Sequence, residues 1–269
     1  MPKELTGRIA FVTGSGRGLG RVMAERLAEL GADVAIHDMA WTAPAKYGEA
    51  PDLGAVAKEL SRHGGRLAAV TGNIGDKSAI AAMKTEIESK LGTVDILVNC
   101  AGGDIGASGG KPEPNDALGI PLEDIKALTE NNLYGTILVC QAFVPPMVKA
   151  GSGSVINIAS AAAHFGVTNG VIYAALKAAV IHYTRCLAKE LQTQGVRINA
   201  VSPGATKTAR FQATRVVDPK MMDSSAKSLA RYAEPAEIAE AVAFLAGPRS
   251  KFINGQVLRV DGGETLFPG

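Results

Sequence analysis

The sequence is short of several features, and each shortage narrows the class of protein. Its three cysteines, Cys100, Cys140 and Cys186, are scattered through 269 residues without metal-ligand spacing. An odd, unpatterned set argues against a disulfide framework or a metal site and reads as reduced thiols in a cytoplasmic protein. A dominant charge of one sign is missing too: 28 Lys and Arg face 26 Asp and Glu, a formal net charge of +2. That balance offers no electrostatic footprint for a nucleic-acid partner. The longest apolar runs break off well short of the roughly 20 residues that cross a bilayer. No signal-peptide pattern precedes the first strand-like run. The expectations are therefore no membrane association, no metal and no nucleic acid.

Apolar residues, at 46%, are present in quantity and spread along the whole chain, enough for one substantial core. Short apolar runs alternate with helical patterns, which points to an α/β fold with a mainly parallel sheet covered on both faces. One domain over residues 1–269 is expected.

The amino-terminal region carries the first functional pattern. Arg8 to Val12 is a short run of strand formers leading directly into Thr13-Gly14-Ser15-Gly16-Arg17-Gly18-Leu19-Gly20. Leu19, Met23, Leu27 and Leu30 then recur at helical spacing, and Gly31 supplies a stop. A strand, a glycine loop and a helix start are the parts of a dinucleotide site, because the loop backbone and the free N–H groups of the helix approach a pyrophosphate. Gly14, Ser15, Arg17, Gly18, Leu19 and Gly20 are the cofactor candidates there. A second apolar run ends in Asp38, eighteen residues after Gly20. A carboxylate at that place accepts hydrogen bonds from ribose hydroxyls and repels a 2′-phosphate, so NAD is favoured over NADP. Arg17 argues partly the other way, since a cation in the glycine loop could meet that phosphate. His37 is read as a partly buried strand residue rather than a ligand.

The second pattern is Tyr173-Ala174-Ala175-Leu176-Lys177, with Ser160 thirteen residues upstream at the end of a strand-like run. On a helix, residues four apart share a face about 6 Å from each other, placing the Lys177 ammonium beside the Tyr173 phenol. A free phenol has a pKa of about 10, and a neighbouring cation favours the phenolate, so Tyr173 could exchange a proton near neutral pH. Moving that pKa by roughly three units needs about 4 kcal/mol. One exposed lysine would struggle to supply this, which implicates a second positive charge, such as an oxidised nicotinamide ring, in a water-poor site. The spacing alone also occurs by chance on many helices.

With these residues in view, the chain resembles the short-chain dehydrogenase/reductase family almost end to end. The family's glycine pattern matches Gly14, Gly18 and Gly20. Its Asn-Ala-Gly element resembles Asn99-Cys100-Ala101-Gly102, one cysteine being inserted, after a strand from Val94 to Val98. The helix asparagine falls on Asn132, the active serine on Ser160, and Tyr173 and Lys177 complete the tetrad. Pro203-Gly204, with Thr206 and Thr208, resembles the element over the nicotinamide. One position departs: where the family generally has an aspartate near the adenine amino group, this chain has Asn73 followed by Ile74, and an asparagine carbonyl can still accept that hydrogen bond.

The resemblance implies a Rossmann-type, doubly wound sheet of seven strands and an NAD-dependent oxidoreductase interconverting a secondary alcohol and a ketone, or a sugar hemiacetal and a lactone. Ser160 would bond the substrate oxygen, Tyr173 would move its proton, Lys177 would hold the ribose, and Asn132 would anchor a water leading from Lys177 to solvent. It also implies a homotetramer built on two long helices, Pro121 to Val148 and Tyr173 to Gln194, with Leu266 and Phe267 packing on a neighbouring subunit.

Residues 205–233 correspond to the family's substrate lid and carry Lys207, Arg210, Arg215, Lys220, Lys227 and Arg231 against few acids. That balance hints at an anionic substrate, although a solvated helical face explains the same charges. A polyol, sugar or hydroxy acid is the leading substrate class, with His164 and Phe165 bordering the pocket. Reduction of a 3-oxoacyl thioester is the alternative, and a non-catalytic dinucleotide sensor is the alternative of another class. Two connections, 39–51 and 103–121, exceed what a compact core requires. Trp41 or Tyr47 in the first could pack on the cofactor or on protein, and the second could line the substrate mouth.

Overall fold

A computed structural model describes residues 3–225 and 227–266. Seven parallel strands form one sheet in the order β3-β2-β1-β4-β5-β6-β7. They are β1 (Ile9–Thr13), β2 (Asp33–Asp38), β3 (Leu67–Thr71), β4 (Ile96–Asn99), β5 (Gly153–Ile158), β6 (Val196–Pro203) and β7 (Val257–Val260). The helices between them are α1 (Gly18–Glu29), α2 (Leu53–Leu60), α3 (Lys77–Lys90), α4 (Leu122–Thr129), α5 (Gly135–Ala150), α6 (Val171–Glu190), α7 (Ala209–Thr214) and α8 (Pro235–Ala246). The central strands read as unbroken apolar runs because both faces are covered. One face buries Met23 and Leu27 of α1 with Val242 and Leu245 of α8, and the other buries Met83 and Ile87 of α3 with Phe143 and Met147 of α5. The strand order reverses between β1 and β4, which opens a crevice at the carboxyl ends of these strands. Every functional candidate converges on that end.

Several boundaries differ from the expectations for physical reasons. The fourth strand begins at Ile96 rather than Val94, because the Asp95 carboxylate is spent on Arg8 and on the Ile9 N–H. The long helix expected from Pro121 is broken by a π turn over Glu130–Tyr134. There the Asn132 amide donates to the Leu128 carbonyl oxygen, competing with the helix ladder. The following helix starts at Val171 and closes at Glu190, short of Gln194.

Leu122–Ala150 and Val171–Glu190 reach a mean hydropathy of 1.2 and are long and apolar enough to cross a bilayer by length and composition. Both instead pack against the sheet, α5 on β5 and α6 on β6, yet only 39% of the apolar window of each is buried. Leu266 is exposed, and Phe267 lies outside the described residues.

Candidate active site

The crevice is a cavity of about 540 Å³. Of the residues singled out above, Gly14, Arg17, Gly18, Leu19, Gly20, Asp38, Ile74, Ala101, Gly102, Ser160, Tyr173, Lys177, Pro203, Gly204, Thr206 and Thr208 all line it. Ser15, Asn73, Asn99 and Asn132 lie behind its wall, where each holds other parts of the site.

At the glycine loop the backbone leaves no room for side chains. Gly14 has φ +66°, and a Cβ there would lie 2.8 Å from the Ala101 Cα. A Cβ on Gly20 would lie 2.2 Å from the Gly14 carbonyl oxygen. Buried side chains brace this geometry from behind. Ser15 Oγ donates to the Val12 carbonyl oxygen at 2.7 Å and accepts from the His37 N–H at 2.9 Å. His37 accepts the Gly14 N–H on Nδ1 at 3.1 Å and meets the Gly72 carbonyl oxygen through Nε2 at 2.9 Å, so the proton belongs on Nε2. Burial pushes the His37 pKa down and keeps the ring neutral in this role. Thr13 Oγ1 accepts from the Cys100 and Ala101 N–H groups at 3.0 and 3.1 Å, pinning the Asn99–Gly102 element to the loop. Asn99 itself points into the core, donating to Asn157 Oδ1 at 2.9 Å.

At the adenosine end, Asp38 and Arg17 are partners: Arg17 Nε lies 3.6 Å from Asp38 Oδ2, and the Arg17 guanidinium sits 5.3 Å from the Tyr47 ring centroid. Tyr47 therefore lines the cavity, whereas Trp41 packs beside Gly54. Asn73 is spent within the protein, donating to Glu130 Oε1 at 3.0 Å and accepting from the Gly75 N–H at 2.9 Å, so Ile74 and Gly72 form the wall in its place. Glu49, from the extended 39–51 connection, accepts the Gly18 N–H on Oε2 at 2.7 Å at the start of α1. Lys46 Nζ reaches the Gly109 carbonyl oxygen at 3.1 Å, joining the two long connections.

At the other end Ser160 leaves β5 and caps a short turn, its Oγ accepting the Ala162 N–H at 3.3 Å, and it lines the cavity together with Tyr173. Lys177 stands one turn further along α6, with Nζ 5.8 Å from the Tyr173 ring centroid and donating to the Ile158 carbonyl oxygen at 2.8 Å. Burial pushes the Tyr173 phenol up, while the Ser160 hydrogen bond and the charges of Arg210 and Arg215 pull it down. Burial pushes the Lys177 ammonium down to about 8. Asn132, fully buried, donates to the Gly103 and Leu128 carbonyl oxygens and accepts from the Gly103 N–H, each at 2.9 Å. It thereby fixes the main chain over the middle of the crevice.

These features fit a dinucleotide. The glycine cradle admits a close backbone approach, and Arg17 Nη1 and Glu49 Oε1 are buried polar atoms with no protein partner. Asp38 would hold ribose hydroxyls, the glycine loop the phosphates, Lys177 the second ribose, and Pro203–Gly204 with Thr206 and Thr208 the nicotinamide end. His37, Thr13 and Glu49 were not marked as functional by the sequence. Their partners lie 23, 87 and 31 residues away, and no local spacing advertises such contacts.

The family model described as enoyl-(acyl carrier protein) reductase matches residues 14–265. The chain is 34% identical over 268 residues to the cyclohexanol dehydrogenase of Rhodococcus sp. strain TK6, covering 97% of each chain. It is 35% identical over 266 residues to a 3-oxoacyl-[acyl-carrier-protein] reductase of Synechocystis, covering 98% of this chain and 99% of the relative. A solved 7α-hydroxysteroid dehydrogenase, in complex with NADH and 7-oxoglycochenodeoxycholic acid, superposes with a TM-score of 0.82 at 31% identity, over 97% of this chain and 95% of that one. The chain belongs to the short-chain dehydrogenase/reductase family, NAD(P)-dependent oxidoreductases acting on CH–OH groups.

Proposed function

We propose that the enzyme uses NAD to interconvert a secondary alcohol and a ketone, or a sugar hemiacetal and a lactone, on a polyol, sugar or hydroxy acid. The observation that carries this reading is the convergence of Ser160 and Tyr173 on one cavity, with buried Lys177 one helical turn behind. In oxidation, Ser160 Oγ bonds the carbinol oxygen and Tyr173 Oη takes its proton. NAD, when bound, would supply the hydride acceptor. Lys177 would bond the ribose, while Ser160 and the charges of Arg210 and Arg215 favour the phenolate against the burial that raises the Tyr173 pKa. In reduction Tyr173 Oη returns the proton. Asn132 serves by holding Gly103, and with it the cleft wall.

NAD over NADP is supported by Asp38, whose carboxylate would meet the 2′ position. Arg17, which on sequence alone could favour a 2′-phosphate, leans on that carboxylate. Reduction of a 3-oxoacyl thioester is the second reading, supported by the similarity to the Synechocystis reductase. The experiment is NADH formation from NAD across polyols, aldoses, sugar acids, hydroxy acids and hydroxysteroids, repeated with NADP, beside NADPH oxidation with acetoacetyl-CoA. NAD-linked alcohol oxidation supports the first reading; activity confined to NADPH and the thioester supports the second. NADH binding with silence in both assays returns the sensor alternative.

A homotetramer is the proposed assembly. The half-exposed apolar windows of Leu122–Ala150 and Val171–Glu190 offer the helical faces, and exposed Leu266 adds to the surface that a second copy would cover. A monomer mass unchanged by concentration would reject it.

A further inference from the structure

The lid's six cations are not equivalent. Lys207 is buried and turned inward to Glu234 at 2.7 Å and to the Met222 carbonyl oxygen. Arg231 pairs with Glu237 at 2.6 Å. Lys220 and Lys227 are exposed away from the cavity. Arg210 and Arg215 alone of the six line it. Among the described residues, no carboxylate lies within ion-pair distance of either guanidinium.

Arg210 is half-buried, and Arg215, though exposed, lies against a ring at the cavity edge. Thr208 caps α7 by accepting the Phe211 N–H at 3.1 Å, and Phe211 anchors the helix against buried Tyr232, ring centroids 4.9 Å apart. Arg210, one residue before Phe211, donates to the Gly102 carbonyl oxygen at 3.2 Å. Arg215 lies over the Phe211 ring at 5.2 Å from its centroid. Both arginines share the cavity with Ser160 and Tyr173, and their charges pull the Tyr173 pKa down. The nearby acid, Asp104, is already met by Lys111 at 3.4 Å and by both bonds from Asn115 Nδ2. Glu264 is exposed at the rim. The lid side of the cavity, at Gly102 and Phe211, therefore carries two cations with no carboxylate partner among the described residues.

We infer that Arg210 and Arg215 select a substrate bearing a carboxylate, held on the lid side of the cavity while Ser160 and Tyr173 engage its carbinol. This rests on the oxidoreductase reading and adds two-point recognition to it. Guanidinium forks match a carboxylate's geometry, and half-buried Arg210, already partly desolvated, costs little to complete with a ligand anion. A neutral isostere keeps the carbinol contacts and forfeits the charge-assisted bonds.

The test is binding to the NADH-loaded enzyme, where a hydroxy compound forms a dead-end complex and no turnover is needed. Calorimetry compares three matched pairs: trans-4-hydroxycyclohexanecarboxylate, gluconate and 3-hydroxybutyrate, each against its amide. At least one acid is expected to bind about 30-fold more tightly than its amide, the worth of a charge-assisted hydrogen bond. Arg210→Met and Arg215→Met should each reduce that ratio and the double variant should bring it near one, while Lys220→Met leaves it unchanged. The proposal is overturned if no acid outbinds its amide, if the preference survives the double variant, or if Arg210→Met weakens NADH binding and leaves the acid preference intact. Failure of NADH itself to bind would instead remove the oxidoreductase reading beneath it.

Discussion

Lys177 Nζ and the Ile158 carbonyl oxygen are 2.8 Å apart, a bond that ties α6 to the end of β5. It sets Ser160, two residues beyond Ile158, opposite Tyr173, four residues before Lys177. The catalytic contact thus depends on a buried ammonium whose charge the fold itself opposes, its pKa lying near 8.

That opposition has a signature in stability. An unfolded lysine titrates at 10.5 and the folded one at about 8, so between these values the unfolded chain keeps a proton that the folded chain has released. Stability from this group therefore rises with pH through that window, by about 3 kcal/mol over the whole span. Cys100, pushed up to about 11 by burial and pulled down by Lys177, acts in the opposite sense, so both proteins carry Cys100→Ala to remove it. Denaturant midpoints of this background with and without Lys177→Met, measured in parallel from pH 7 to 10.5, should show the lysine protein gaining on the variant. A gap that does not change with pH would refute the assignment.

Asp38→Ser should weaken NADH binding and release Arg17 toward a 2′-phosphate. Hydrogen bonds to a charged group are worth about 1.5–3 kcal/mol, so the NADH Kd should rise about tenfold or more, and the NADPH Kd should fall. Adding Arg17→Ala should cancel the NADPH gain but not the NADH loss. Fluorescence titration of both nucleotides decides it; an unaltered preference in Asp38→Ser would remove Asp38 from the cofactor site.

Asn132→Ala leaves the Gly103 N–H and carbonyl oxygen without their partner in a buried place. Unsatisfied buried groups cost about 1–3 kcal/mol each, so a loss of about 3 kcal/mol is expected, with weaker NADH binding as the Gly102–Gly103 wall loosens. Thermal unfolding with and without NADH measures both. Unchanged stability would mean that the π turn and the wall are held by something else.

The crossover between local and distant information explains what the sequence disclosed. The β1 run, the glycine loop, the α1 periodicity and the Tyr173–Lys177 turn are local patterns, and they stand where the residues put them. Asn73, Asn99 and Ser15 carry the right chemistry at the right address, yet their side chains are drawn to Glu130, Asn157 and His37 on other elements. The break in the 121–150 helix follows from a side-chain competition at Asn132 that propensity does not register. The sorting of the lid cations required Glu234 and Glu237 to be seen beside Lys207 and Arg231.

Tyr173→Phe tests the central claim most directly. The substitution removes one oxygen and leaves the ring, the helix and Lys177, so NADH binding should remain within about twofold while turnover falls by roughly 10²–10⁴, the range of general acid–base catalysis. Turnover close to wild type on whichever alcohol the wild-type enzyme oxidises would contradict the assignment of Tyr173 as the group that moves the proton.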